Sequence, residues 1–179
     1  MLTADAVALL RDAIPRGPAV WADLGAGQGI FARALGQLLG PGSRIYAVDR
    51  DRDAVAALQR LVPETGIDVV PVVGDLADPF DLPGEPSGGL DGMLLANALH
   101  FVANADVVLA NLVRRVRRGG RVVVIEYDRR TASRWVPHPV TPDRLAVLAA
   151  RAGLSAPIIT ARRESSFGGE LYVAVAGRG

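Results

Sequence analysis

The chain has 179 residues, half of them hydrophobic, which is enough for one domain to bury a core without disulfides or metals. Twenty arginines, with no lysine, stand against nineteen acids and leave a net charge of +1; this is too near neutral for a protein that must neutralise a long run of phosphates, so nucleic acid is not an expected partner. The absence of cysteine excludes disulfides, thiolate metal sites and cysteine nucleophiles, leaves the redox compartment undetermined, and no metal site is expected.

From the N-terminus, Leu2 to Ile14 carries apolar residues at Ala6, Leu9, Leu10 and Ile14, with Thr3 as the expected N-cap and Pro15 as terminator. Residues 1–18 therefore read as a helical lead-in within one domain spanning 1–179. Acids inside this pattern, and the lack of a basic start or a long apolar run, argue against a signal peptide or membrane span, so a cytoplasmic location is expected by default. Ala19 to Leu24 is a short apolar run ending in an acid and then a glycine cluster, followed by the helical pattern Ile30 to Leu39. The unit repeats: Arg44 to Asp49 reads as a strand, Ala54 to Leu61 as a helix, and Asp68 to Val73 as a third strand ending at Gly74-Asp75.

Leu76 to Gly89, dense in Pro, Gly and Asp, reads as a loop with room for one helical turn, leading into a fourth strand over Leu90 to Ala96. A helix is expected from about Asn104 to Arg117, with Gly119-Gly120 as its C-terminal turn before the strand Arg121 to Tyr127. Asp128 to Pro142 is a polar, Pro-rich loop, and the next helix runs from Thr141 as N-cap and Pro142 at N1 to Ala152. Strands Pro157 to Arg162 and Leu171 to Ala176 leave no room for a crossover helix and must form an antiparallel hairpin at the sheet edge. Strands alternating with helices, several of them continuous apolar runs, predict an α/β fold: a doubly wound, mostly parallel sheet covered on both faces.

In such a sheet, ligands bind beyond the carboxyl ends of the strands. Asp23, Asp49 and Asp75 fall at or near the ends of the first three strands, and the loop Gly25-Ala26-Gly27-Gln28-Gly29 precedes a helix N-terminus with free N–H groups and a partial positive charge. The dinucleotide pattern G-x-G-x-x-G would need glycine where Ile30 stands; Gly25, Gly27 and Gly29 instead form G-x-G-x-G after Asp23-Leu24.

At this point the sequence resembles the class I S-adenosylmethionine-dependent methyltransferase family, whose first motif commonly looks like D-L-G-x-G-x-G. Val48-Asp49 looks like the second motif, Val73 to Leu76 the third, Asp91 to Phe101 the fourth and Arg117 to Glu126 the fifth, so the resemblance covers nearly the whole chain. It implies a Rossmann-like seven-stranded sheet with the last strand antiparallel, and S-adenosyl-L-methionine as cofactor. By position, Gly25, Ala26, Gly27 and Gly29 would support its methionine part, with Asp23 near the ammonium group. Asp49 would accept both ribose hydroxyls, with Arg50 beside it; Asp75 would accept from the adenine amino group, Leu76 would offer its backbone N–H to the ring, and Asn97 would lie near the sulfonium. The resemblance also counts against nucleic-acid base and protein-glutamine methylation, because amino-group methyltransferases look alike in an Asn or Asp, two prolines and an aromatic where this chain has Asn97-Ala98-Leu99-His100.

A small-molecule acceptor is expected. If it is a weak acid, a proton acceptor would help, and His100, Glu126, Tyr127, Asp128 and His138 lie on the correct edge, with His100 favoured against a reading in which it only shapes the pocket. The loop holding Arg129, Arg134, Trp135 and His138, just after Tyr127, would suit an anionic or aromatic acceptor, or else be a solvated arginine cluster over a packed Trp135. Long insertions between strands are missing, so the acceptor pocket is either open or completed by a partner subunit, a homodimer included. Two readings from other classes stand beside the enzyme: a non-catalytic S-adenosylmethionine-binding partner subunit, and a NAD-binding oxidoreductase.

Overall fold

A computed structural model describes residues 1–59, 67–128, 131–165 and 169–179. In chain order the elements are α1 (Thr3–Leu10), β1 (Val20–Leu24), α2 (Ile30–Leu39), β2 (Arg44–Asp49), α3 (Arg52–Gln59), β3 (Asp68–Val73), β4 (Leu90–Ala96), a single 3-10 turn (Leu99–Phe101), α4 (Ala105–Val113), β5 (Val116–Asp128), α5 (Pro142–Arg151), β6 (Ile158–Glu164) and β7 (Glu170–Gly177). The strands make a seven-stranded sheet in the order β3-β2-β1-β4-β5-β7-β6. β1 to β5 are mutually parallel, and β7 inserts antiparallel between β5 and β6. The chain thus has the doubly wound α/β architecture with a terminal antiparallel hairpin that the strand pattern predicts.

The continuous apolar runs follow from burial on both faces. On one face Leu24, Tyr46, Met93, Leu95, Val124 and Tyr172 pack with Leu109 of α4 and Leu145 of α5; on the other Trp21, Ile45, Leu94, Val123 and Ile125 pack with Leu10 of α1 and Leu35 of α2. The hydroxyls of the two buried tyrosines are satisfied, Tyr46 donating to the Pro83 carbonyl (3.1 Å) and Tyr172 to the Val140 carbonyl (2.7 Å).

Several expectations need correction. Leu2, not Thr3, is the N-cap of α1, and the Asp5 carboxylate accepts its N–H at 3.0 Å. α3 starts at Arg52, ahead of the expected Ala54, and the expected end at Leu61 lies outside the described residues. α4 stops at Val113, because Val116 pairs with Leu90 in the sheet and the Leu90 N–H is taken by the Arg115 carbonyl (2.7 Å); strand pairing wins over the helical pattern that runs on to Arg117. Gly119-Gly120 is therefore not a helix terminus. The β4–β5 register passes from Leu90–Val116 directly to Gly92–Arg121, so residues 117–120 bulge opposite Asp91. Gly119 has φ +73°, and a Cβ on Gly120 would lie 2.5 Å from Val116. α5 is capped as read, Thr141 Oγ1 accepting from the Arg144 N–H at 3.2 Å with Pro142 in the first turn.

Candidate functional site

The ends of β1 to β4 converge on one edge, and the backbone there is tightly organised. The N–H groups of Gly25 and Ala26 both donate to the Val48 carbonyl (2.8 and 2.9 Å), which folds the glycine loop across the end of β2. Asp49 then fixes the loop: its Oδ2 accepts from the Gly27 N–H (2.7 Å) and its Oδ1 from the Asp51 N–H (2.9 Å). Asp75 Oδ1 accepts from the Ala77 N–H (3.0 Å), and Arg50 lies 3.8 Å from the Asp75 carboxylate.

A cleft of about 410 Å³ opens here, lined by Gly25, Asp49, Arg50, Asp75, Leu76 and Asn97 from the expected set, and also by Gly74, Ala77, Ala98 and the run Phe101 to Asn104. A cavity of about 460 Å³ lies at the opposite edge, around Val20, Arg44 and Asp68 where strands begin, and holds none of the expected residues. Size does not pick out the site; the strand ends do. Gly25 sits so close to the next strand's exit that a Cβ on it would come within 2.7 Å of Ala98 Cβ, whereas a Cβ on Gly27 would meet open space. Gly29 caps α2 in the left-handed conformation (φ +81°), and Ala26 is buried beneath the loop.

Behind the cleft lies a buried, unpartnered carboxyl group. Asp23 is fully buried, and neither carboxylate oxygen has a hydrogen-bond partner of ordinary geometry. Burial first, and then the neighbouring Asp49 carboxylate, push its pKa from 3.8 to about 7, against a small opposing effect of the Ala32 N–H. Asn97 is a second special residue. Among the described residues it alone is a non-glycine with positive φ (53°), its N–H donates to the Ile125 carbonyl (2.8 Å), and its side-chain oxygen is buried without a partner.

The ends of β4 and β5 form the other half of the edge. His100, 2% exposed, places Nδ1 2.6 Å from Glu126 Oε2 and donates its backbone N–H to Glu126 Oε1 at 3.1 Å. Glu126 is 0% exposed, so it cannot meet an acceptor directly. The imidazole is tilted against Phe101 at 4.3 Å between centroids and lies 6.0 Å from the Tyr127 ring. The His138 N–H donates to the His100 carbonyl (3.0 Å), which brings the loop from 131 to 140 alongside. On that loop Trp135 is 69% exposed rather than packed on the core, with the Arg134 guanidinium 4.5 Å above its ring. Arg129 lies outside the described residues.

Residues 22–122, more than half of the chain, match a family model described as a methyltransferase domain. The chain belongs to the class I S-adenosylmethionine-dependent methyltransferases. Among the curated proteins none matches this methyltransferase by sequence. Solved structures resemble it in fold: a SAM-dependent methyltransferase from Aquifex aeolicus (16% identity, 96% of this chain and 89% of that one, TM-score 0.72). Another is the 1,6-didemethyltoxoflavin-N1-methyltransferase of Burkholderia thailandensis, solved with 1,6-didemethyltoxoflavin and S-adenosylhomocysteine (22%, 98% and 77%, TM-score 0.69). A third is the [4+2]-cyclase SpnF (13%, 98% and 81%, TM-score 0.73).

In the methyltransferase, sequence reasoning missed Phe101 to Asn104 as cleft residues: Phe101 closes the fourth motif, and Val102 to Asn104 follow it with no motif of their own. It also placed Glu126 among direct proton acceptors; only the three-dimensional pairing with His100, 26 positions away, puts it behind the site. Among the described residues no group of three or more His, Asp or Glu could hold a metal ion, and no helix is long and apolar enough to cross a membrane.

Proposed function

We propose that this methyltransferase methylates a small molecule that docks at the edge formed by Phe101, Tyr127, Trp135 and His138. The observation that carries the reading is the cleft itself, a concave site of small-molecule size that gathers Gly25, Asp49, Asp75 and Asn97, with the 51% exposed Phe101 in its lining and the 69% exposed Trp135 on the loop tied to His100 by the His138 N–H.

The residues fit the cofactor. Gly27 leaves open space beside the loop, Gly25 keeps the floor flat against Ala98, and the buried Asp23 carboxylate lacks the partner that an ammonium group would supply. In this reading Gly25, Ala26, Gly27 and Gly29 cradle the methionine part and Asn97 lies beside the sulfonium. Asp49 binds the ribose diol, flanked by Arg50, while Asp75 and the Leu76 N–H hold the adenine. When bound, S-adenosylmethionine supplies a methyl group whose carbon–sulfur bond breaks toward sulfur as the acceptor's lone pair attacks. The chain's own tasks are alignment, exclusion of water and removal of the acceptor's proton. His100 takes that proton on Nε2, since Nδ1 faces Glu126. With the imidazole 2% exposed, the exposed Phe101 ring must give way for the acceptor to reach it.

The test is titration calorimetry with S-adenosylmethionine, S-adenosylhomocysteine and NADH in parallel, followed by incubation of the protein with methyl-labelled S-adenosylmethionine and a small-molecule extract. Saturable binding of the two sulfur ligands alone, with label appearing in a low-mass compound, supports the reading. Label found only in protein or RNA, or binding without transfer to any extract, overturns it in favour of a macromolecular substrate or a non-catalytic partner subunit.

A further inference from the structure

Glu126 is a costly residue to place where it stands. It is 0% exposed at the end of β5, and a carboxylate so far from water is tolerated only when its oxygens are paired. Both oxygens are taken by one residue, Oε1 by the His100 backbone N–H (3.1 Å) and Oε2 by the His100 ring (2.6 Å). Where the carboxylate is ionised it can only accept, and the short contact then holds the proton on Nδ1 and leaves Nε2 of a neutral ring with its lone pair. His100 is engaged on its remaining backbone atom as well, its carbonyl accepting from the His138 N–H at 3.0 Å. One residue thereby joins three segments: the 3-10 turn after β4, the end of β5, and the loop that carries Trp135 and His138. That loop has its own internal closure, Ser133 and Val136 exchanging backbone hydrogen bonds at 3.0 and 3.1 Å.

We propose that Glu126 is a positioning residue for methyl transfer: through His100 it fixes the tautomer that can accept the acceptor's proton and pins the acceptor-side loop to the cofactor half of the site. The proposal rests on the reading of His100 as proton acceptor. As the acceptor's lone pair bonds to the methyl carbon, its proton passes to Nε2, the resulting imidazolium is offset by the Glu126 carboxylate, and the proton leaves to solvent before the next turnover. The charged or titratable groups around the pair are Tyr127, 6.0 Å from the imidazole, and Asp128, both on β5, and Tyr172 on the adjoining β7; the Tyr172 hydroxyl is committed to the Val140 carbonyl, and burial, Glu126 and Asp128 all keep it protonated.

The chain contains only two histidines, which makes the pair directly observable. In the full chain with histidine-selective nitrogen-15 labelling, saturated with S-adenosylhomocysteine, His138→Gln assigns the two rings by elimination. The expected result at neutral pH is His100 as the Nδ1–H tautomer, together with a slowly exchanging His138 amide. Glu126→Gln should mix the tautomers and speed His138 amide exchange about ten-fold, the loss of roughly one hydrogen bond, while S-adenosylhomocysteine affinity stays unchanged. A wild-type ring already in the Nε2–H or a mixed form overturns the proposal, and this measurement stands even if Glu126→Gln does not fold. Unaltered tautomer and exchange in a folded Glu126→Gln overturn it equally. His100→Asn separates the two readings: retained methyl transfer with an Nδ1–H ring in the wild type removes the proton-acceptor role and with it the catalytic half of the proposal, leaving the hold on the loop.

Discussion

The two halves of the active edge are built in opposite ways. At the ends of β1 to β3 the work is done by backbone: glycines that let the chain fold over β2, and an Asp49 that organises N–H groups before any ligand arrives. At the ends of β4 and β5 it is done by a buried side-chain pair and by an aromatic loop lying open to solvent. A backbone-built half is stiff and suits a ligand common to many reactions; an open half can change acceptor without disturbing the first. The fold itself is neutral on the chemistry, since a [4+2]-cyclase shares it, and the assignment to methyl transfer rests on the family match across β1 to β5.

The contrast can be broken or sharpened by substitution. The largest effect is expected from Asp23. Because the folded state holds the Asp23 proton more tightly than the unfolded chain, stability of the ligand-free protein falls as pH rises from 3.8 to about 7 and is flat above, at a cost of roughly 4 kcal/mol. Asp23→Asn should abolish that slope in urea unfolding and stabilise the ligand-free protein above pH 7, while weakening S-adenosylhomocysteine; an unchanged slope would mean that Asp23 finds a partner in solution. Asp49→Ala removes the Gly27 anchor and, in the proposed reading, the acceptors for the ribose hydroxyls, so calorimetry should show affinity lower by about 3 kcal/mol, on the order of 100-fold. An undiminished affinity would show that the backbone half is organised without it. Gly25→Ala combines φ +81° with a Cβ 2.7 Å from Ala98 Cβ and should cost about 1–3 kcal/mol of stability by chemical denaturation. The smallest effect belongs to the open half: Trp135→Ala should change stability by less than about 0.5 kcal/mol and leave cofactor affinity alone, raising only the KM for the acceptor. If cofactor binding falls as well, the two halves are not separable.

This division also explains how much was legible in the sequence. β2, β3, β4 and α2 lie where their patterns place them, and Gly25, Asp49, Arg50, Asp75, Leu76 and Asn97 do meet in one cleft, because glycine spacing and strand-end acids are local signals. The α4–β5 junction was not legible: Arg114 to Arg117 continues a helical pattern, and only the pairing of Val116 with Leu90 pulls it into the sheet. The left-handed Asn97 and the burial of His100 against Glu126 are long-range outcomes for which neighbouring residues carry no sign.

Gly92 links the site to the way the chain folds. It sits on β4 opposite Trp21 of β1, and a Cβ there would come within 2.5 Å of the Trp21 indole. The β1–β4 pairing joins segments far apart in the chain, so it carries a larger loop-closure entropy than the pairing of β1 with β2. It also sets Asp23 on β1 beside Leu94 on β4, close to the exit where Asn97 and His100 follow. The contact between Gly92 and Trp21 that joins the centre of the sheet therefore also sets the ends of β1 to β3 beside those of β4 and β5, and a side chain at Gly92 would disturb the centre and the site together.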